Sequence, residues 1–264
     1  MVAFETVYEQ NYTKLYNLAY RMTGNLQDAE DVLQTAFLNA YKAYDQFREE
    51  SHVATWLYQI VLNESKHYFK KINKMPVDQY AESNDLTIRE VYGYINSFGT
   101  VEDEVMYTAT KEACLQLFMS CLSSKLRAVF TLRVVLDFST EEVAEILQIK
   151  PSTVKVYLHR ARTFITDNVK GKCSLINPDN PCKCSSWIKY ALETGLKIEN
   201  SDIKIIQKKE ALIKAAFKEE VSALYKVMLL YNTEVVPKPY ESFKAHVKVL
   251  MASKKYKLLN YTAD

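Results

Sequence analysis

Glycine and proline are scarce in this 264-residue chain, five of one and six of the other. Folds built from strands and turns use both freely, so the shortage disfavours all-β architectures and favours helices. Long apolar runs are missing too: none approaches the roughly 20 residues that cross a bilayer. The opening segment MVAFETVYEQ has neither the basic nor the apolar stretch of a secretory signal. Five cysteines without an export signal read as reduced thiols, and the expected location is the cytoplasm. Charge of one sign is not in excess. A formal net charge of +2 gives no whole-chain attraction for nucleic acid, so any such contact must rest on local patches. The signatures G-x-x-x-x-G-K-[ST], H-E-x-x-H and G-x-S-x-G are absent. Enzymatic activity therefore has no support in the sequence.

What is present is helical periodicity over a 48% hydrophobic composition. Phe4, Val7, Tyr8, Leu15, Leu18, Ala19 and Met22 recur at steps of three and four. Gly24-Asn25 ends that helix. A second stripe follows from Ala29 to Tyr44, and a third helix spans about Val53 to Lys71. Three such helices can bury their stripes as a small bundle. From Ile72 to Val101 the pattern dissolves into an acidic linker with room for a short helical piece. Helices resume at Glu102–Leu122 and Lys125–Leu136. Beyond Gly171 the chain is rich in Lys and has no Arg, with helices expected at about 185–194, 202–231 and 240–254. The expected fold is all-α. It divides into a bundle (1–72), a linker (73–101), a second helical domain (102–168) and a helical extension with a cysteine cluster (169–264).

The segment STEEVAEILQIKPSTVKVYLHRAR reads as two short amphipathic helices around a tight turn. Val143, Ala144 and Leu147 share one face of the first. Val154, Leu158 and Ala161 share one face of the second, leaving Lys155, His159, Arg160 and Arg162 mostly on the other. A helix-turn-helix places such a second helix in a major groove. Ser152 and Thr153, at its start, suit capping or phosphate contact. The plainer alternative is a solvated helical hairpin. Asp28, Glu30 and Asp31 form an acidic patch at the head of the second helix. It reads as a docking surface for a basic partner, as ordinary first-turn acids behind the N-cap Asn25, or as a divalent-metal site short of ligands. Around the third helix, Phe47, Arg48, His52, Trp56, Tyr58, Lys66, His67, Tyr68 and Phe69 mix aromatic faces with positive charge, which suits a single strand. By spacing Trp56 belongs to the core, while Tyr58 and His67 belong to the exposed side. Cys173, Cys182 and Cys184 form C-x8-C-x-C. Three thiols fall one short of a tetrahedral zinc site, so zinc, redox-active thiols and buried structural cysteines all stay open. No other cofactor is expected.

In their order and spacing these pieces resemble the bacterial RNA polymerase sigma factors of the extracytoplasmic-function class. GNLQDAEDVLQTAFLNAYKAYDQF and ATWLYQIVLNESKHYFKK resemble sigma region 2. LSSKLRAVFTLRVVLDFSTEEVAEIL and PSTVKVYLHRAR resemble sigma region 4. The resemblance implies promoter recognition and melting as a subunit of core RNA polymerase. It places Asp28, Glu30 and Asp31 at the polymerase contact. It places His52, Trp56, Tyr58, Asn63, Lys66 and His67 at the −10 element, and Ser152, Thr153, Lys155, Tyr157, His159 and Arg160 at the −35 element. The linker would thread the polymerase cleft. Core polymerase and promoter DNA are the implied partners, with an anti-sigma factor as a further one. Two positions depart from the family pattern: Gln148 stands where the turn often has Gly, and Tyr157 where Arg is often found. The extension is a third departure, expected to regulate by packing its stripe Leu212, Ala215, Ala216, Phe217, Val221, Leu224 and Met228 on region 2, region 4 or the linker. The competing readings are a stand-alone helix-turn-helix regulator with a dimerising or sensing bundle, and a Mg²⁺ nuclease built on Asp28, Glu30 and Asp31.

Overall fold

The computed structural model describes residues 4–44, 47, 52–197, 204–207 and 222–252. The first three helices, α1 (Phe4–Thr23), α2 (Leu26–Ala43) and α3 (Val53–Tyr68), form the expected bundle. Gly24, at φ +99°, ends α1 in a conformation that costs glycine little. Asn25 then caps α2: its side-chain oxygen accepts from the Asp28 N–H at 2.8 Å, and its amide donates to the Asp28 carboxylate at 2.6 Å. Leu15, Leu18, Val32, Leu33, Leu57 and Val61 fill the space between the helices.

The segment expected as a linker contains two helices, α4 (Pro76–Ser83) and α5 (Ile88–Ser97). Its polar composition hid them, but the local signals are sound. Pro76 sits in the first turn of α4, and Thr87 with Glu90 forms a capping box at the start of α5. Its acids are partly neutralised, Asp78 by Lys172 at 2.7 Å and Glu82 by Lys74 at 2.6 Å.

Then come α6 (Glu104–Cys121) and α7 (Ser124–Phe130), which runs into a π-helical turn over Thr131–Val135. The turn leads to α8 (Thr140–Leu147), α9 (Pro151–Lys170) and α10 (Cys184–Thr194). The helix expected over 202–231 begins instead as a strand, β1 (Ile205–Gln207), and ends as α11 (Ala223–Leu230). β1 pairs antiparallel with β2 (Thr233–Val235), Ile205 facing Val235. β-Branched isoleucines in a segment with a pairing partner favour the extended form over the helix. Of the expected stripe, Leu212, Ala215, Ala216, Phe217 and Val221 lie outside the described residues; Leu224 is exposed and Met228 packs on the core. The last helix is α12 (Tyr240–Ala252). Apart from the two-stranded ribbon, the described regular structure is helical, as expected for an all-α protein.

One buried polar network ties the distant parts of the chain together. Arg21 on α1 and Glu112 on α6 form an ion pair whose side chains have no exposed surface. Arg21 also donates to Gln116 Oε1 at 3.1 Å and to Thr233 Oγ1 on β2 at 2.6 Å, while Thr233 donates to the second Glu112 oxygen at 3.1 Å. Asn17 exchanges two hydrogen bonds with the Val235 backbone, at 2.9 and 2.8 Å. Arg127 on α7, likewise buried, donates to the Met22 and Lys70 carbonyls at 2.8 and 3.0 Å. The bundle, the second domain and the ribbon thus share one interior.

Removing one partner of a buried ion pair leaves the other charge unpaired, at a cost of about 3–5 kcal/mol. We expect Glu112→Ala to lower unfolding stability by about that much in a urea titration. A loss below about 1 kcal/mol would show that the pair does not hold these elements together.

Candidate nucleic-acid interface

The segment 139–162 folds as the expected helix-turn-helix. Ser139 caps α8 in a capping box with Glu142. The Ser139 backbone N–H, and then its hydroxyl, hold the Glu142 carboxyl below its usual range. Gln148 closes α8 in the left-handed conformation, φ 53° and ψ 45°, so the turn keeps its geometry without glycine. Val154, Leu158, Ala161, Ile165 and Val169 form the buried face of α9. Lys155, His159 and Arg160 are exposed on the other side, with Ser152 exposed and Thr153 half-buried at the start. The capping expected of Ser152 or Thr153 is not their role. Lys150 is the cap residue, without a side-chain cap bond, and Pro151 occupies the first turn. Both hydroxyls are left free of that task. Tyr157 is half-buried and turns toward the bundle.

On and just before α3, His52, Asn63, Lys66 and His67 are exposed, and Lys66 donates to Asn63 Oδ1 at 2.7 Å. Trp56 is half-buried against the core and packs on Phe47 with ring centroids 5.2 Å apart. Arg48 lies outside the described residues. Tyr58 corrects the sequence reading, because it is 1% exposed. Its ring meets Phe138 edge-on at 4.9 Å, and its hydroxyl donates to Asn11 Oδ1 at 3.3 Å. Burial, with the Glu142 charge nearby, pushes the phenol well above its ordinary range. Within α3 Tyr58 lies one turn before the buried Val61 and Leu62, and Phe138 from the loop before α8 closes over its ring. Tyr58 is therefore an interior residue in this arrangement, with no surface for a base to stack on.

The two candidate reading surfaces meet. Gln59 on α3 donates to the Glu145 carbonyl on α8 at 3.3 Å. Beside that bond lies a cleft of about 300 Å³. Asn63 and Lys66 form one wall, and Gln148, Ile149 and Tyr157 are among the residues of the other. Gln59 and Phe138 are the residues that sequence reasoning missed. A contact between residues 86 positions apart leaves no periodic trace.

The acidic patch is half-buried at the head of α2. Asp28 serves the cap with Asn25. Partial burial, followed by the charges of Asp28 and Glu30, raises the Asp31 carboxyl above its usual value. Glu30 pairs with Lys238 at 2.9 Å. Just beyond Lys238, α12 lays Tyr240 and Phe243 on α1 and α2. The Phe243 ring lies 5.1 Å from Tyr12, 5.8 Å from Phe37 and 6.0 Å from Tyr8. The extension thus covers the ground next to the acids. Among the described residues, no group of three or more His, Cys, Asp or Glu side chains is arranged to hold a metal ion, so the acids gain no ligands from the fold. No helix among them is long and apolar enough to cross a membrane.

Comparison with known proteins matches the profile of Sigma-70 region 2 to residues 7–74 and that of Sigma-70 region 4 to residues 112–165. The ECF RNA polymerase sigma factor SigW of Bacillus subtilis is 33% identical over 170 residues, which cover 64% of this chain and 89% of that protein. The ECF RNA polymerase sigma-E factor of Haemophilus influenzae is 27% identical, over 64% of this chain and 88% of its own. That of Escherichia coli K12 is 31% identical, over 54% and 74%. A solved structure of the Bartonella quintana sigma factor RpoE, in complex with the anti-sigma factor NepR, aligns with 63% of this chain and 96% of its own at a TM-score of 0.39 and 19% identity.

A side chain in the left-handed region costs about 1 kcal/mol that glycine avoids. Gln148→Gly is therefore expected to raise the thermal midpoint by about 2–4 °C. An unchanged or lower midpoint would mean that Gln148 makes compensating contacts.

Proposed function

Because the chain belongs to the extracytoplasmic-function sigma factors, subunits that act in transcription initiation with core RNA polymerase and are not themselves catalysts, we propose how its surfaces divide that work. In this reading α9 enters the major groove of the −35 element. Lys155, His159 and Arg160 reach bases or phosphates, Ser152 and Thr153 contact backbone at the helix start, and Tyr157 stands at the groove edge. His52, Trp56, Asn63, Lys66 and His67, on and before α3, meet the −10 element. Tyr58 supports them from beneath. Asp28, Glu30 and Asp31 face the polymerase.

The observation that carries the reading is the division of α9 into one wholly apolar buried face and one exposed basic face. A solvated hairpin needs no such concentration of cations opposite its core. The chain as a whole is nearly neutral, so α9 is a local patch of the kind that duplex DNA selects.

The extension enters as a restraint on the free subunit. Its Lys238 occupies Glu30 in the way a basic residue of a partner would, and its Tyr240 and Phe243 anchor beside it. Polymerase must displace that contact to reach the full acidic patch. An exposed pair is worth only about 0–1 kcal/mol, so the restraint at this point is light and reversible.

Transcription in vitro with core polymerase on mapped promoters tests both parts. Arg160→Ala is expected to lower promoter affinity about 5- to 150-fold if it reads a base, at about 1–3 kcal/mol per contact. If it contacts phosphate, it should lower binding to all sequences alike. Lys238→Glu is expected to raise affinity for core polymerase about two- to fivefold. Promoter-specific initiation that is indifferent to Arg160→Ala would sink the −35 assignment. A weaker polymerase complex from Lys238→Glu would sink the restraint.

A further inference from the structure

Where the extension joins the second domain, α4, α6, α10 and α11 enclose a cavity of about 370 Å³. Cys173, Cys182 and Cys184 line it together with Cys114 of α6. Among the described residues no three side chains are placed to hold a metal ion, and none of the four thiols is in a disulfide. They act as soft, weakly polar wall.

The rest of the wall is mostly apolar, with Leu115, Phe118, Trp187, Val227 and Leu230 among its members. Small-molecule sites occupy about 300–1,000 Å³ and have linings of this kind. An apolar cavity of about 150 Å³ accepts benzene, which allots about 25 Å³ to each carbon. At the same filling, 370 Å³ holds about fifteen non-hydrogen atoms.

Two lining residues carry buried hydroxyls that the protein leaves unmet. Tyr231 is 1% exposed and Thr110 is 9% exposed. Neither hydroxyl has a hydrogen-bond partner among the described residues. Thr110 lies within α6, where a threonine can bond the carbonyl one turn earlier, and it does not. A buried hydroxyl without a partner weighs against the folded state. Two of them on one cavity have a common explanation if its occupant supplies the acceptors.

The charges on the wall are of one sign. Lys111, Lys172 and Lys197 line the cavity, and no Asp or Glu is among the described residues that do. Lys172 is engaged by Asp78, which is not a wall residue, at 2.7 Å. Lys111 directly follows Thr110 on α6, so a cation and a hydroxyl adjoin along that helix. Such a wall favours an anionic head over a cationic one.

We propose that the cavity is a binding site for a small anionic amphiphile, a carboxylate on an unbranched apolar body of about a dozen carbons. The carboxylate accepts from the Tyr231 and Thr110 hydroxyls, and Lys111 supplies the balancing charge. The tail lies among the apolar side chains of α6, α10 and α11 and clasps the extension to the second domain. The assignment stands on the cavity and its hydroxyls, and does not depend on the promoter-binding roles given above.

The test titrates the full chain calorimetrically with saturated fatty acids held below their micelle concentrations. Dodecanoate is expected to bind one per chain. Each buried CH₂ tightens binding about fourfold, so decanoate should bind about fifteenfold more weakly than dodecanoate. Hexadecanoate should gain nothing over tetradecanoate, because the cavity is then full. Dodecylamine, with the opposite charge, should bind at least about tenfold more weakly than dodecanoate. Tyr231→Phe and Thr110→Val should each weaken dodecanoate at least about fivefold. Neither should lower the thermal midpoint of the free chain, since neither hydroxyl has a protein partner to lose. In case a variant fails to fold, tryptophan emission gives a second readout. A dodecanoate brominated at its chain end should quench the wild-type chain and leave Trp187→Phe unquenched. The absence of saturable binding at about 1 mM dodecanoate overturns the proposal. So do several weak sites per chain, affinity that keeps rising with chain length, dodecylamine bound as tightly as dodecanoate, or both hydroxyl variants within twofold of wild type.

Discussion

A guanidinium and a carboxylate with no exposed surface can persist in a protein interior only together, and only with their remaining hydrogen-bonding positions largely met. Arg21 and Glu112 meet that condition by recruiting Gln116 from the same helix as Glu112 and Thr233 from β2. The requirement is geometrically strict: bundle, second domain and ribbon must all be in place before the charges are satisfied. If one of the three withdraws, the interior is left with an unpaired charge or an unmet donor. The network therefore acts as a joint that is either closed or fully opened to water, rather than one that loosens gradually.

That joint fixes the relation between the two candidate reading surfaces. With α1 and α6 locked, α3 rests on α8 through Gln59, and the loop before α8 covers Tyr58. Asn63, Lys66 and Tyr157 then face a common cleft. The −10 and −35 elements, by their names, lie about 25 base pairs apart, or about 85 Å along a duplex at 3.4 Å per pair. No single cleft serves both. In the proposed reading, the candidate DNA-facing residues stay partly occupied with each other until polymerase separates them. It also fits a near-neutral chain whose basic face is confined to one helix.

Much of this was legible in the sequence. The stripes of α1, α2, α6 and α9 gave their helices, Asn25 gave the start of α2, and the buried and exposed faces of α9 fell where spacing put them. The failures share a cause. Tyr58 was placed outside although it shares a face with Val61 and Leu62, because its two tertiary partners, Asn11 on α1 and Phe138 before α8, leave no mark in the sequence around it. The helices α4 and α5 were lost in acidic composition, although Pro76 and the Thr87–Glu90 box marked their starts. β1 was read as helix because its pairing with β2 is a tertiary fact. Nothing in the sequence around Arg21, Glu112 and Asn17 marks them as interior, and only the packed structure shows that they lie inside.

The proposed reading implies that the free subunit is closed and the polymerase-bound one open. Energy transfer between dyes placed by unnatural amino acids at His67 on α3 and Val156 on α9 measures this directly, since both positions are exposed and each follows or precedes in sequence a residue that lines the cleft, Lys66 and Tyr157. The account predicts high transfer in the free chain and its collapse when core polymerase is added. Low transfer in the free chain, or transfer that polymerase leaves unchanged, would contradict it.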